Sequence, residues 1–299
     1  MNRLRSDRGQ AAVLTVIFLV ALLGAVAMVL DVGSWFRAQR ATQSAADAVA
    51  LAAVQELPES TGAANGLATQ YLAKNGGGVA VVTFSSKFVA NDTVSVRVTR
   101  QTPGVFSKLF GINSVEVHAK AAARSGNPSS ARWAAPIAVD IQHPMLQCQP
   151  LPCFGSATTL DLEKVGPGAF RLINLDGSHG GTGPDTLADW IQRGYDGYMP
   201  LNWYFSDPGA KFDSSHVKSA MSSRIGSELL FPVYDTTRAG GANFEYHVIG
   251  WVGFLVTGFD AKGNKATVDG HFVRVIWEGI QSTSGTNNDL GVRVIELVE

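Results

Sequence analysis

The order of hydrophobic and polar positions changes character several times along the chain, and the sharpest change comes first. Residues 11–30 read AAVLTVIFLVALLGAVAMVL, with no charge, proline, asparagine or glutamine and with Thr15 as the strongly polar side chain. At about 1.5 Å per helical residue this run spans roughly 30 Å, the hydrocarbon thickness of a bilayer. Past Asp31, apolar or small residues recur at Val32, Phe36, Ala41, Ala45, Ala48, Leu51, Ala52 and Leu57, with no proline before Pro58. That spacing is a helical stripe. It predicts one continuous helix from about residue 10 to 57, with a membrane-spanning first half and an amphipathic, alanine-rich second half suited to close packing. Trp35 falls near the outer interface, where aromatic rings anchor membrane helices.

Beyond Pro58 the pattern shortens. Residues 60–75 suit a short helix stopped at Asn75-Gly76-Gly77-Gly78. Val79–Ser85 reads as a strand, and Val94, Val96 and Val98 alternate with polar residues as a half-buried strand does. Pro103–Phe110 suits a short helix, and Val115, Val117, Ala119 and Ala121 alternate as a further strand. Ser125-Gly126-Asn127-Pro128-Ser129-Ser130 has linker composition. From residue 131 the chain turns strand-rich, with runs at 170–175, 231–234, 246–257, 270–277 and 292–298. Helical stretches at 185–193 and 214–225 start near Pro184-Asp185 and Asp213-Ser214, and Asp260-x-x-Gly263-Asn264 suits a hairpin loop. The expected class is α+β: a transmembrane helix continuing into a long amphipathic helix packed on a small sheet, then a β-rich domain. The boundaries are an N-terminal segment 1–10, a span 11–30, an α+β unit 31–124, a linker 125–130 and a β-rich domain 131–299.

Charge and composition narrow the function. With 24 Lys+Arg against 25 Asp+Glu, the net charge of −1 argues against nucleic acid as a partner. Charged residues make up only 16% of the chain, below the roughly 25% of soluble domains, which fits a segment held in lipid. The flanks orient that segment. Arg3, Arg5 and Arg8 precede it and Asp31 follows, so the positive-inside rule places the N-terminus in the cytoplasm and the bulk of the chain outside, anchored in the plasma (inner) membrane. Two rivals stand beside this reading: a secretory signal cut after Ala25-Val26-Ala27, and a buried helix of a soluble core.

A resemblance sharpens the picture. Arg8-Gly9-Gln10, the apolar run, Asp31-Val32-Gly33, then Arg40-x-x-Gln43-x-Ala45-Ala46-Asp47-Ala48-x-Ala50-Leu51-Ala52 resemble the N-terminal segment of TadE/TadG-like proteins of Flp-type (tight adherence) pilus assembly. More loosely, Tyr71-Leu72-Ala73-x-Asn75-Gly76 and Phe106-x-x-Leu109-Phe110-Gly111-x-x-Ser114-x-x-Val117-x-Ala119-x-Ala121 resemble the end of the family's second helix and its helix-turn-strand. The resemblance implies a single-pass, pilin-like component, not an enzyme. Its partners would be the lipid bilayer and other pilus-assembly or pilin-like proteins, in homo- or hetero-oligomers through the N-terminal helix. Asp31, Gly33, Gln43 and Asp47 are the family-motif positions on the long helix, where Asp31 and Asp47 could pair with Arg37, Arg40 or a partner. Gly9-Gln10 is the candidate prepilin-type processing site. Prepilins usually carry a glutamate at the fifth mature position, whereas here that position is Leu14, which favours an assembly factor over a polymerising subunit.

Candidate chemistry adds little. Cys148 and Cys153, close in sequence and outside the cytoplasm, suit a structural disulfide contributing about 2 kcal/mol. Asp176-Gly177-Ser178-His179-Gly180-Gly181 offers Ser, His and Asp, but adjacent Ser and His cannot converge as nucleophile and base, so a surface loop is expected. The histidines lack H-x-x-x-H spacing, and Asp161/Glu163 has only strand spacing. We therefore expect no catalytic, cofactor or metal residues. Trp190, Trp203 and Tyr204 belong to an aromatic-rich stretch that suits either a core or an interface. The alternatives are an anchored binding module for carbohydrate or a surface protein and, behind it, an anchored hydrolase.

Overall fold

A computed structural model describes residues 6–149, 152–162, 169–209, 211–238, 240, 244–285 and 287–298. Contacts divide the chain into two compact units, Met1–Arg124 with Glu296–Glu299, and Ser125–Ile295.

The first unit is organised by helix α1, Ser6–Ala53, which runs unbroken through the apolar segment and continues as a turn of 3-10 helix at Val54–Glu56. No glycine or proline effect stops it: Gly24 and Gly33 sit in open surroundings, and the chain turns only before Pro58. The apolar window of this helix is wholly unburied, and α1 is long and apolar enough to cross a membrane. Its outer part behaves differently. Ala45, Ala46, Val49, Ala50, Ala53 and Val54 are buried. They recur at helical spacing on one stripe, so a single face is taken out of water. Of the stripe expected from the sequence, Ala45, Ala52 and Leu57 are buried, whereas Val32, Phe36 and Ala41 face outward because the sheet and α2 cover a different side of the helix. Helix α2, Thr61–Lys74, packs on α1 through buried Ala64 and Ala68, and Ser60 caps it by accepting from the Ala63 N–H.

The sheet beneath α1 is β1 (Val79–Ser85), β2 (Thr93–Pro103) and β3 (Ser114–Gly126), joined in antiparallel order. Val94, Val96 and Val98 of β2 and Val117 and Ala119 of β3 supply the buried face. Small side chains on α1 against valines on the sheet let the two backbones approach closely. Both β2 and β3 run further than the valine alternation predicts, to the pair Pro103↔Ser114. The extra residues of β2, Thr99–Thr102, are polar and are ordered by ladder pairing, and β3 also runs on past Ala121 to Gly126. The helix expected at Pro103–Phe110 shrinks to a 3-10 turn, Ser107–Phe110, because Pro103 still belongs to β2 and the Gly104 N–H closes the hairpin on Asn113 O. At Gly104 a Cβ would stand 2.9 Å from the Ile112 carbonyl oxygen, so the turn admits only glycine without rearrangement.

The residues expected to link two domains do not form a loop. Ser125 and Gly126 end β3, and Pro128–Ala131 form β4. The last residues of the chain return to the first unit, where Glu296 pairs with Arg124 at 2.7 Å.

The second unit is built on the long strand β11. Its elements in chain order are β4, β5 (Val139–Asp140), β6 (Thr158–Asp161), β7 (Ala169–Ile173), α3 (Pro184–Arg193), β8 (Met199–Pro200), β9 (Trp203–Pro208), α4 (Ser215–Ser223), β10 (Glu228–Arg238), β11 (Glu245–Lys262), β12 (Lys265–Val273), β13 (Val275–Ile276), β14 (Gly279–Gln281) and the first part of β15 (Val292–Val298), whose end from Glu296 belongs to the first unit. One sheet has the order β5-β10-β11-β12-β6, with β9 on the start of β11 and β7 on β9; a second joins β14, β4 and β8. The β11–β12 hairpin turns at Gly263-Asn264, where Gly263 has φ +60°, while Asp260 remains in the ladder opposite Thr267. Helices α3 and α4 pack on each other. Ser214 caps α4, whereas α3 starts at Pro184 after Gly183 with Asp185 in its first turn. Trp251, Tyr246, Phe231, Phe254 and Phe272 fill the core.

The alanine stripe yields a direct test. Ala50→Leu inserts three heavy atoms where no space exists and should destabilise the first unit by about 1–3 kcal/mol in denaturant titration of the detergent-solubilised protein. Ala41→Leu, on the exposed side of the same helix, should leave the midpoint unchanged; equal effects of both would show that the stripe is not a packed interface.

Candidate functional site

The residues that the family motif singles out lie along α1, and the structure assigns them distinct work. Asp31 stands one residue beyond the apolar run and is only 2% exposed. Its carboxylate accepts from three consecutive backbone N–H groups: Val105 at 3.1 Å, Phe106 at 3.0 Å and Ser107 at 2.6 Å. These are the unpaired donors at the start of the Ser107–Phe110 turn, so Asp31 caps a helical turn from 74 residues away. Burial pushes the Asp31 carboxyl up, but bonds from Ser107, Phe106 and Val105 outweigh it and bring it down to about 2.

Further out, Gln43 Nε2 donates to Lys120 O at 3.0 Å and to Asp47 Oδ1 at 2.8 Å. Asp47 thus orients an amide that grips β3, and Gln39, which the motif did not include, does the same to His118 O at 2.8 Å. Neither Asp31 nor Asp47 is shown paired with Arg37 or Arg40: a backbone cradle and a neighbouring amide take the carboxylates instead. Gly33 has open space where a Cβ would go, and nothing in the structure explains a glycine there. Gly9 and Gln10 lie within the first turns of α1. Arg3 and Arg5 lie outside the described residues.

Around Asp31 the surface is strongly apolar. Val105 is 64% exposed, Leu109 83%, Phe110 75% and Ile112 47%. Phe36 on α1 is exposed as well, and Trp35 is half-buried.

In the second unit the aromatic stretch divides. Trp190 and Tyr204 are buried, Tyr204 donating to Pro200 O at 2.8 Å, so the core takes these two rings from any binding surface. Trp203 is half-buried, with Arg238 over its ring at 4.2 Å and His247 against it at 4.8 Å. His247 Nδ1 lies 2.7 Å from Asp235, and Arg238 holds Glu245 at 2.6 Å. His143 lines a groove with Asp140, Asp161 and Arg171. Burial pushes its imidazole pKa down, and its Nδ1 accepts from the Met145 N–H at 3.2 Å, which makes it a cap for a short turn. Glu163, the partner of Asp161 in sequence spacing, lies outside the described residues. The Asp176–Gly181 loop is exposed at Ser178 and His179 and is held by Asn174, which donates to Ser178 O and Gly180 O. Asp207 is fully buried in β9, where Thr182 and Lys211 hold it. Cys148 and Cys153 form a disulfide with Cα atoms 5.6 Å apart.

The Asp31 cap has a pH signature. Its folded pKa of about 2 lies below the ordinary 3.8, so its contribution is full above about 3.8 and disappears as pH falls through 2. Asp31→Asn should speed amide exchange at Val105, Phe106 and Ser107, and the stability gap to the parent should be constant near neutrality and close in acid. A gap that persists unchanged at about pH 2 would contradict this assignment.

Comparison with known proteins bears on the same helix. No curated protein and no solved structure matches the chain. The looser resemblances at 71–76 and 106–121 lie beyond what a family model covers. Residues 9–56, the helix that carries Asp31, Gly33, Gln43 and Asp47, match the Tad family model, described as "Putative Flp pilus-assembly TadE/G-like".

Proposed function

We propose that this protein is a non-enzymatic, membrane-anchored, pilin-like component of Flp-type pilus assembly. The observation that carries the reading is the single long helix α1, whose residues 9–56 match the Tad family model and whose first half is apolar and unburied. Residues 11–30 cross the plasma (inner) membrane once. The three arginines ahead of the span hold the N-terminus in the cytoplasm, and Asp31 opens the exported part. Residues 31–124 form the pilin-like unit beside the membrane, and residues 131–299 form a β-rich extracytoplasmic domain.

The work is done by contact. A lipid-exposed helix rich in alanine and carrying Gly24 packs against helices of other pilus components, where small residues let backbones approach. The missing glutamate at the fifth position after Gly9 removes the charge that would pair with a neighbour's terminal amine. The protein therefore acts as a fixed assembly factor.

Removing residues 1–30 should release the chain from alkali-washed membranes, and a truncated protein that still resists alkaline extraction would defeat the anchor. Intact mass from the membrane fraction and from sheared surface material separates the roles. A chain that keeps its N-terminal segment and stays in membranes is the expected result. A chain starting at Gln10 in sheared filaments would make it a processed subunit, and a soluble chain starting at Met28 would overturn the anchored reading.

A further inference from the structure

The turn that closes the β2–β3 hairpin is apolar, exposed and placed at one height on α1. Gln39 reaches His118 O and Gln43 reaches Lys120 O. Four helical residues, about 6 Å, therefore keep step with two strand residues, about 7 Å. From His118 back to Ser114 the strand advances about 13 Å, equal to about nine helical residues, which arrives at about residue 30. The bonds from Val105, Phe106 and Ser107 to Asp31 fix the same level independently. Residues 104–113 thus lie beside the last turn of the apolar run.

Their composition suits that position. The stretch GVFSKLFGIN has five large apolar residues, no acidic residue and one cation, Lys108. Leu109 and Phe110 are among the most exposed large apolar residues of the chain, matching Val29 and Phe18 of the apolar run itself. The Asp31 carboxylate and the Gly104–Asn113 closure fix the backbone that carries them. Lys108 is exposed beside them, and a lysine at this level can lay its stem along acyl chains and its ammonium among phosphates.

We propose that the 104–113 turn is embedded in the bilayer surface next to the anchor helix, with Val105, Leu109, Phe110 and Ile112 among the upper acyl chains and Lys108 at the headgroups. The inference rests on the reading that residues 11–30 span a membrane. Its consequence is orientational. A single helix can rotate and tilt, whereas a helix with a wedge fixed to it by Asp31 presents one face of the folded unit at one height above the membrane.

Both cysteines of the chain are in the disulfide, so one introduced thiol can be labelled alone. Leu109→Cys, Phe110→Cys, Val20→Cys and Asn65→Cys would each carry an environment-sensitive fluorophore on the full chain, in vesicles of phosphatidylcholine and phosphatidylglycerol with nitroxide-labelled lipids. Labels at 109 and 110 should show blue-shifted emission and lose intensity with nitroxide near the headgroup. The label at 20 should respond most to nitroxide at mid-chain, and the label at 65, on exposed α2, to neither. If 20 is quenched while 109 and 110 behave like 65, the wedge is absent although the anchor stands. Blue-shifted but unquenched labels at 109 and 110 would mean a protein surface, such as a second copy, covers them, and would overturn the proposal. No quenching at 20 would defeat the anchor and the wedge with it.

Discussion

Asp31 is the point at which the apolar run ends and the folded chain starts, and the geometry of the first unit is referred to it. A carboxylate placed there would ordinarily face water or an arginine. Here it is buried against three consecutive N–H groups that a short helical turn leaves without partners. Two problems are solved together: the charge is stabilised by charge-assisted bonds, and the donors are satisfied without a local cap. Because the helix passes through this point without a break, the tip of the hairpin is tied to the end of the apolar segment by one side chain.

The rest of the unit repeats that arrangement along the helix with weaker links. Gln39 and Gln43 bind strand carbonyls at successive turns, and Asp47 steadies one of them. Beyond these polar ties the alanine stripe brings α1 close to the elements packed on it. Small residues are needed because a larger side chain at Ala46 or Ala50, both fully buried, has no room where α1 packs on α2 and β2. Polar ties then set the register along the helix, while packing sets the distance.

The second unit draws on a different resource. Its long strand β11 takes β10 along one edge and β9 then β12 along the other, and large aromatics fill the space that two short helices and the sheet enclose. Burial of Trp190 and Tyr204 places these rings in stability. Trp203 keeps a partly exposed face between Arg238 and His247.

What the sequence by itself determined follows local period. The apolar span, the unbroken helix, α2 and its triple-glycine stop, and the valine strands all show in the spacing of residues a few positions apart. Strand ends did not: the polar residues of β2 near Arg100 and Gln101 join the ladder only because β3 lies opposite. Two-residue strands such as β5, β8 and β13 carry no readable alternation. The residues of linker composition became strand through pairing with distant segments, as Ser130 does with Ile280. The family motif likewise marked Asp31 and Gln43 without their partners. Tertiary structure alone decided that Asp31 caps a turn 74 residues away and that Glu296 returns to Arg124 across 172. The physical reason is that side-chain period reveals which face of an element is apolar or polar, whereas the identity of what meets that face depends on how the whole chain closes.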